Sequence, residues 1–132
     1  MAKLYNYIFS RNAREQSEFY AKALNGEIKS IQTFEDVPNT DEKIKDKIMH
    51  LTLDINGATI FMADAINEPV KTSGSVDIGL EFASEEEARI AFANLAEGGH
   101  VIMPIEKQFW GAMFGRLHDK YGILWQIVTE HE

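Results

Sequence analysis

The chain has 132 residues, of which 45% are hydrophobic and 26% are charged, a balance typical of a globular domain rather than a disordered chain. Its net charge is −8, from 21 acidic and 13 basic residues, and the basic residues are scattered. Nucleic-acid binding requires a basic surface that displaces counterions from phosphates, so we expect no nucleic-acid partner. The longest apolar run is only a few residues, so we expect no membrane-spanning helix and no membrane partner.

The chain contains no cysteine. This excludes a disulfide framework, a thiolate nucleophile and a cysteine-bound metal. The first residues, Met1 to Leu4, lead directly into a strand-like pattern without the apolar core of a signal peptide. Together these features predict a cytoplasmic protein.

The first elements in chain order are a strand and a helix. The aromatic segment 3–9 is typical of a strand. Asn12 is the predicted N-cap of a helix over 13–24, with Glu15 at the capping-box position. The Asn-Gly pair at 25–26 ends this helix, as a left-handed residue does.

The rest of the first half predicts three more strands. They run over 27–34, 47–55 and 58–63, with a polar, proline-containing loop over 35–46 and a linker over 64–74. The Asn-Gly pair at 56–57 joins the last two strands as a hairpin. Alternation in strand 47–55 places Ile48, His50, Thr52 and Asp54 on one face and Met49, Leu51, Leu53 and Ile55 on the other.

The same order returns in the second half. A strand over 75–82 precedes a helix capped by Ser84, with Glu87 at the capping-box position. Strands over 100–105, 114–118 and 123–128 follow, the last two joined by a turn over 119–122. The apolar sets are Val76, Ile78, Leu80 and Phe82 in the first strand, which suits packing under the helix, and Ala88, Ala91, Phe92 and Leu95 in the helix.

An offset of about 72 residues superposes the two halves and aligns Tyr5 with Asp77 and Tyr20 with Phe92. We therefore predict an α+β fold in which two βαβββ modules, 1–66 and 73–132, form a single domain over 1–132. Each helix covers one face of its sheet, and the other face is free to line a cavity. We expect the curved mixed sheets to form a cup for a small ligand.

The segment from Phe109 to Ile127 carries a specific pattern. It contains Phe-Trp-Gly, then Phe-Gly, an Asp, an aromatic-Gly turn and a Trp two residues before Ile. This pattern resembles the C-terminal signature of PhnB-like proteins, a branch of the glyoxalase, bleomycin-resistance and dioxygenase (vicinal-oxygen-chelate) superfamily. Glu18-Phe19-Tyr20 is similar to the first helix of that branch, so the resemblance covers nearly the whole chain.

The resemblance implies the glyoxalase fold and a homodimer. Some members are labelled demethylubiquinone methyltransferases. An S-adenosylmethionine-dependent enzyme would need a glycine-rich loop after a strand in a larger α/β domain, which this sequence does not offer. We therefore do not expect methyl transfer.

The resemblance also implies where a metal would bind. Metal-using relatives take one ligand from the first, fourth, fifth and eighth strands, positions that fall here on Tyr5, Phe61, Asp77 and Gln126. Divalent metals prefer imidazoles and carboxylates, and only Asp77 is a conventional ligand in this set. We therefore predict no metal cofactor.

His50 and Asp77 are the candidate catalytic residues, as a general base or a ligand. His50 could equally be a hydrogen-bonded strand residue at the rim of the cup. Arg116 could pair with an anionic ligand or with Asp119. We expect Trp125 in the core. The predicted ligand-binding residues are Tyr5, Tyr7, His50, Phe61, Asp77, Trp110 and Gln126.

Three functions fit these features of the sequence. The first is a protein that binds a small molecule in a metal-free cup. The second is a metal-dependent lyase, isomerase or dioxygenase of the same superfamily. The third is a resistance protein that sequesters an antibiotic.

Overall fold

The computed structural model describes residues 1–72 and 74–130. The chain divides into two compact units, Met1–Lys71 and Thr72–Glu132. Each unit contains a strand, a helix and three further strands, in that order.

Unit 1 is a four-stranded mixed sheet with one helix. Its sheet order is β1-β4-β3-β2, with β1 parallel to β4 and the other neighbours antiparallel. The elements are β1 (Asn6–Ser10), α1 (Ala13–Ala23), β2 (Glu27–Thr33), a 3-10 helix (Phe34–Asp36), β3 (Ile48–Ile55) and β4 (Ala58–Asp64).

Unit 2 repeats this topology. Its sheet order is β5-β8-β7-β6, with β5 parallel to β8. The elements are β5 (Ile78–Phe82), α2 (Glu85–Ala96), β6 (His100–Lys107), β7 (Met113–His118) and β8 (Leu124–Thr129). The predicted α+β fold of two βαβββ modules with mixed sheets is confirmed.

Both predicted helix caps are present. The Asn12 Oδ1 atom accepts a hydrogen bond from the backbone N–H of Glu15 at 3.1 Å. The Ser84 Oγ atom accepts one from the N–H of Glu87 at 3.1 Å. These bonds satisfy N–H groups that have no partner within the helix, which explains why each helix begins where the sequence predicts.

Each helix buries one face of its own sheet. In unit 1, the side chains of Leu51, Leu53 and Tyr20 are fully buried. In unit 2, the four predicted apolar residues of α2 are buried, and Trp125 is fully buried, which confirms its place in the core. The opposite face of each sheet therefore carries the polar and aromatic side chains of the alternating pattern.

Some details of the predicted strands are wrong. Strands β1 and β5 begin at Asn6 and Ile78 rather than at residues 3 and 75, and Val76 is 74% exposed instead of packing under the helix. Ile48 is buried rather than sharing the face of His50. The β2–β3 pairing skips Met49, since Gln32 lies opposite His50 but Thr33 lies opposite Ile48. This bulge reverses the alternation and turns Ile48 to the helix-covered face.

The β3–β4 hairpin turns as predicted. Asn56 has φ 50° and Gly57 has φ 93°, the pair of positive angles that a type I′ hairpin turn requires. Within the described residues, no helix is long and apolar enough to cross a membrane.

Candidate functional site

The uncovered face of the unit 1 sheet carries an aromatic surface. Tyr7 on β1 lies opposite Phe61 on β4, and Phe61 lies opposite Thr52 on β3. Tyr7 and Phe9 are 39% and 58% exposed, whereas Ile8 between them is buried. Strand alternation thus places these aromatic rings together on the face that α1 does not cover.

We call this group the aromatic face: Tyr5, Tyr7, Phe9, His50 and Phe61. Phe61 is its centre. Its ring centroid is 4.8 Å from that of Tyr5, 5.0 Å from that of His50 and 6.2 Å from that of Tyr7. Tyr7 also contacts Phe9 at 5.0 Å. Four of the predicted ligand-binding residues are therefore in one cluster, and Phe9 was not among those predicted.

Tyr7 and His50 supply the polar groups of this face. The Tyr7 hydroxyl lies 3.3 Å from Nδ1 of His50. Partial burial raises the pKa of Tyr7 above its usual value, and the nearby Tyr5 phenol adds to this effect. The hydroxyl therefore keeps its proton at neutral pH and can donate a hydrogen bond to Nδ1 of a neutral imidazole.

The face of the unit 2 sheet that α2 does not cover has a different chemistry. Asp77 lies immediately before β5, and its carboxylate accepts hydrogen bonds from Arg116 Nε at 2.6 Å and Nη2 at 2.9 Å. Gln126 Nε2 donates to Asp77 Oδ2 at 3.1 Å. Arg116 and Gln126 lie opposite each other on β7 and β8, so the sheet register brings them both to Asp77. We call these three residues the polar triad.

Within the polar triad, the positive charge of Arg116 balances the negative charge of Asp77. Hydrogen bonding from Arg116 holds the pKa of Asp77 below its usual value, against the opposing effect of burial. The same bond raises the pKa of Arg116. Asp77 is therefore a stable anion with engaged oxygens, which makes it a poor general base at neutral pH.

The predicted alternative that Arg116 pairs with Asp119 is wrong. Asp119 is buried, and its Oδ1 accepts from the N–H groups of Tyr121 and Ile123 at 2.8 and 3.1 Å. Its Oδ2 accepts from Trp125 Nε1 at 2.9 Å. Asp119 therefore orders the β7–β8 turn and anchors Trp125.

Trp110 lies in the β6–β7 loop and is 42% exposed. Its ring meets that of Phe109 edge to face, with centroids 4.9 Å apart. Its role in ligand binding stays a prediction, as does the cup that the two sheets would form.

By resemblance, a metal would take its ligands from four positions. These positions form one pair in unit 1 and the equivalent pair in unit 2. Tyr5 contacts Phe61 in unit 1, just as Asp77 contacts Gln126 in unit 2. These residues do not fit a divalent metal, because Phe61 has no ligand atom and both Asp77 oxygens are engaged by Arg116. Across residues 1–72 and 74–130, no three His, Asp or Glu side chains are grouped to hold a metal ion.

The sequence matches the family described as 3-demethylubiquinone-9 3-methyltransferase over residues 3–128. The chain belongs to this family. Its members include PhnB-like proteins, so the predicted resemblance is confirmed. The family's name mentions a methyltransferase, but the name alone does not establish an activity for its PhnB-like members.

Similar proteins span the whole chain. Protein PA1353 from Pseudomonas aeruginosa is 32% identical, with a TM-score of 0.85 and 100% of both chains covered. The PhnB protein from Bacillus cereus is 25% identical, with a TM-score of 0.79 over 98% of this chain and 100% of its own. Protein YjdN from Escherichia coli is 25% identical over 130 residues, which cover 90% of this chain and 88% of YjdN.

The fold also extends to the fosfomycin resistance protein FosX from Listeria monocytogenes. FosX is 12% identical, with a TM-score of 0.68 over 98% of this chain and 92% of its own. A FosX variant has been solved with Mn(II). At this identity the likeness shows the glyoxalase fold alone.

Proposed function

We propose that this chain binds a small molecule on the aromatic face of unit 1, without a resident metal. The observation that supports this is the set of exposed rings around Phe61. Exposed aromatic rings that cluster on a sheet face with otherwise polar side chains are typical of a binding surface, because water solvates them poorly.

The chemistry of the aromatic face favours a planar ligand. The rings of Tyr5, Tyr7 and Phe61 can stack against a flat, largely apolar molecule. The Tyr7–His50 pair can exchange its internal hydrogen bond for one to a ligand oxygen. The family description names a demethylubiquinone, and a quinone or phenol ring combines these properties.

Binding is better supported than metal-dependent catalysis. Tyr5 and Phe61 in unit 1 replace the usual ligands, and in unit 2 Arg116 neutralises Asp77. His50 has Tyr7 as its side-chain partner rather than a carboxylate that would orient it as a base. The metal-dependent lyase, isomerase or dioxygenase and the antibiotic-sequestering protein are the alternatives that the following experiment separates.

The experiment is isothermal titration calorimetry with a short-chain ubiquinone, a naphthoquinone and cyclohexanol as the saturated control. We expect the aromatic compounds to bind and cyclohexanol not to bind. Tyr7→Ala and Phe61→Ala should each weaken binding about tenfold, because each removes one stacked ring. Ile90→Ala is the matched control, since Ile90 is 54% exposed on α2 and lies outside the aromatic face.

Equal binding by the wild type, Tyr7→Ala and Phe61→Ala would contradict the proposal. Binding that requires added Mn²⁺ or Zn²⁺ and is abolished by Asp77→Asn would favour the metal-dependent enzyme. Tight binding of an antibiotic together with no affinity for quinones would favour the resistance protein.

We also propose that two chains associate as a homodimer, as the family resemblance implies. Light scattering on the purified protein tests this. The expected mass is twice that of the 15.0 kDa chain, and a monomer mass at micromolar concentration would contradict it.

A further inference from the structure

Unit 1 contains a cleft at the end of its sheet, where β1 and β4 end, β3 begins and α1 starts. Its volume is about 240 Å³. Two of the lining residues, Ile48 and Asp64, are buried on the helix-covered face. The full lining is Arg11, Asn12, Arg14, Lys43, Asp46, Lys47, Ile48 and Asp64.

The lining of this cleft is cationic although the protein is acidic. Two arginines and two lysines face it, out of 13 basic residues in a chain with net charge −8. In the parts of unit 1 that the structure describes, none of these four side chains has a carboxylate oxygen within 4.0 Å. These four residues are exposed, and cations that line one cleft without carboxylate partners repel each other; an anion bound in the cleft would relieve that repulsion.

The two acidic residues of the lining do not neutralise the cations by ion pairing. Asp64 is buried, and its oxygens accept hydrogen bonds from the backbone N–H groups of Ala13 and Ile48, both at 2.7 Å. Asp64 thus joins the start of α1 to the start of β3 and fixes the floor of the cleft. Asp46 also lines the cleft and is exposed.

Two of the first N–H groups of α1 already have acceptors. The N–H of Ala13 donates to Asp64, and the N–H of Glu15 donates to Asn12. The side chains of the two arginines and two lysines are therefore the main donors available to a ligand in this cleft. Arginine guanidinium groups present paired donors that match the oxygens of a phosphate group.

We infer that this cleft is an anion site that binds a small molecule bearing a phosphate group. The volume corresponds to about eight water molecules, at about 30 Å³ each. This accommodates inorganic phosphate or a short phosphate ester, but it is below the range of pockets for larger ligands. The inference does not depend on the ligand proposed for the aromatic face, because the two surfaces share no residue.

The test is an NMR titration of the ¹⁵N-labelled full chain with inorganic phosphate, at low ionic strength and with sodium chloride as the reference salt. We expect saturable shifts of the amide signals of Arg11, Arg14 and Lys47. Arg14→Ala and Lys47→Ala should each weaken binding about fivefold, and Asp46→Asn should strengthen it, because it removes a repelling charge.

The matched control is Lys22→Ala, which removes a cation from the opposite end of α1 and should leave the affinity unchanged. The spectra also report whether each variant is folded. Shifts that do not saturate, or an affinity that Arg14→Ala and Lys47→Ala leave unchanged, would overturn the inference.

A second titration uses glycerol 3-phosphate, and a sedimentation assay uses vesicles of phosphatidylglycerol. Binding of inorganic phosphate or glycerol 3-phosphate supports a soluble ligand. Binding to the vesicles without binding to either soluble compound would overturn the inference in favour of a membrane surface.

Discussion

Arg116 and Asp77 form a two-point ion pair on the face of the unit 2 sheet that α2 does not cover, with N–O distances of 2.6 and 2.9 Å. The equivalent place in unit 1 is held by Tyr5, which meets Phe61 edge to face. The two units therefore use one backbone arrangement for two different surfaces. One surface is charged but internally neutralised, and the other is aromatic and open to a partner.

The ion pair predicts a specific dependence of stability on pH. Because the pKa of Asp77 is lower in the folded chain than its usual value, the pair stabilises the fold above about pH 4, and this contribution is lost as the pH falls through the lowered pKa. Arg116→Ala should reduce the free energy of unfolding at pH 7, and the deficit should shrink towards pH 3. Urea denaturation at both pH values measures this.

The control for this prediction is Lys107→Ala. Lys107 pairs with Glu85 at 3.1 Å, but both side chains are about half exposed, so its loss should change the unfolding free energy little at either pH. A deficit in Arg116→Ala that is the same at pH 3 and pH 7 would argue against the ion pair as its cause.

Asp119→Ala should destabilise unit 2 strongly. The change removes the acceptor of three hydrogen bonds, including the one from the buried Trp125 indole. Leaving buried donors without an acceptor predicts a loss of about 2–4 kcal/mol in the free energy of unfolding, measured by urea denaturation. Glu18→Ala, at an exposed position of α1, should change it by less than about 0.5 kcal/mol.

Gly115 and Gly79 should respond differently to alanine. A Cβ atom at Gly115 would lie 2.7 Å from the ring of Phe92 and 2.8 Å from Ile105, so Gly115→Ala should cost about 1–3 kcal/mol. At Gly79 nothing lies within 4 Å, so Gly79→Ala should be nearly neutral. Thermal denaturation of both variants tests this, and equal losses would contradict the packing explanation.

Chelation should leave the fold unchanged. Phe61 offers no ligand atom, and the oxygens of Asp77 are engaged by Arg116 and Gln126. Dialysis against EDTA should therefore shift the melting temperature by less than about 1 °C, and added Zn²⁺ or Mn²⁺ should not raise it. A stoichiometric metal that survives dialysis of the wild type but not of Asp77→Asn would contradict this prediction.

The fold was predictable from sequence because its signals are local. The caps at Asn12 and Ser84, the Asn56-Gly57 turn and the alternation of Leu51 and Leu53 each act within a few residues. They specify helices, turns and sheet faces without reference to distant parts of the chain. The order of these elements then indicates the βαβββ repeat.

The candidate site was only partly predictable, because it depends on pairing between strands. Alternation identified His50 and Asp77, but the partner of Arg116 follows from its position opposite Gln126. The bulge at Met49 reversed the face of Ile48, and no local residue marks it. The cationic cleft joins Arg11 and Arg14 to lysines of the loop before β3, and only the folded chain brings them together.

The parallel pairing of the first and last strand of each unit has a consequence for how the chain folds. In unit 1, Asn6 pairs with Ile60, and in unit 2, Ile78 pairs with Trp125. These pairs must close long loops before they stabilise anything, which slows folding relative to a structure of local hairpins. Because β4 is the sheet neighbour of β1, this aromatic segment stays unpaired during synthesis until β4 has emerged from the ribosome.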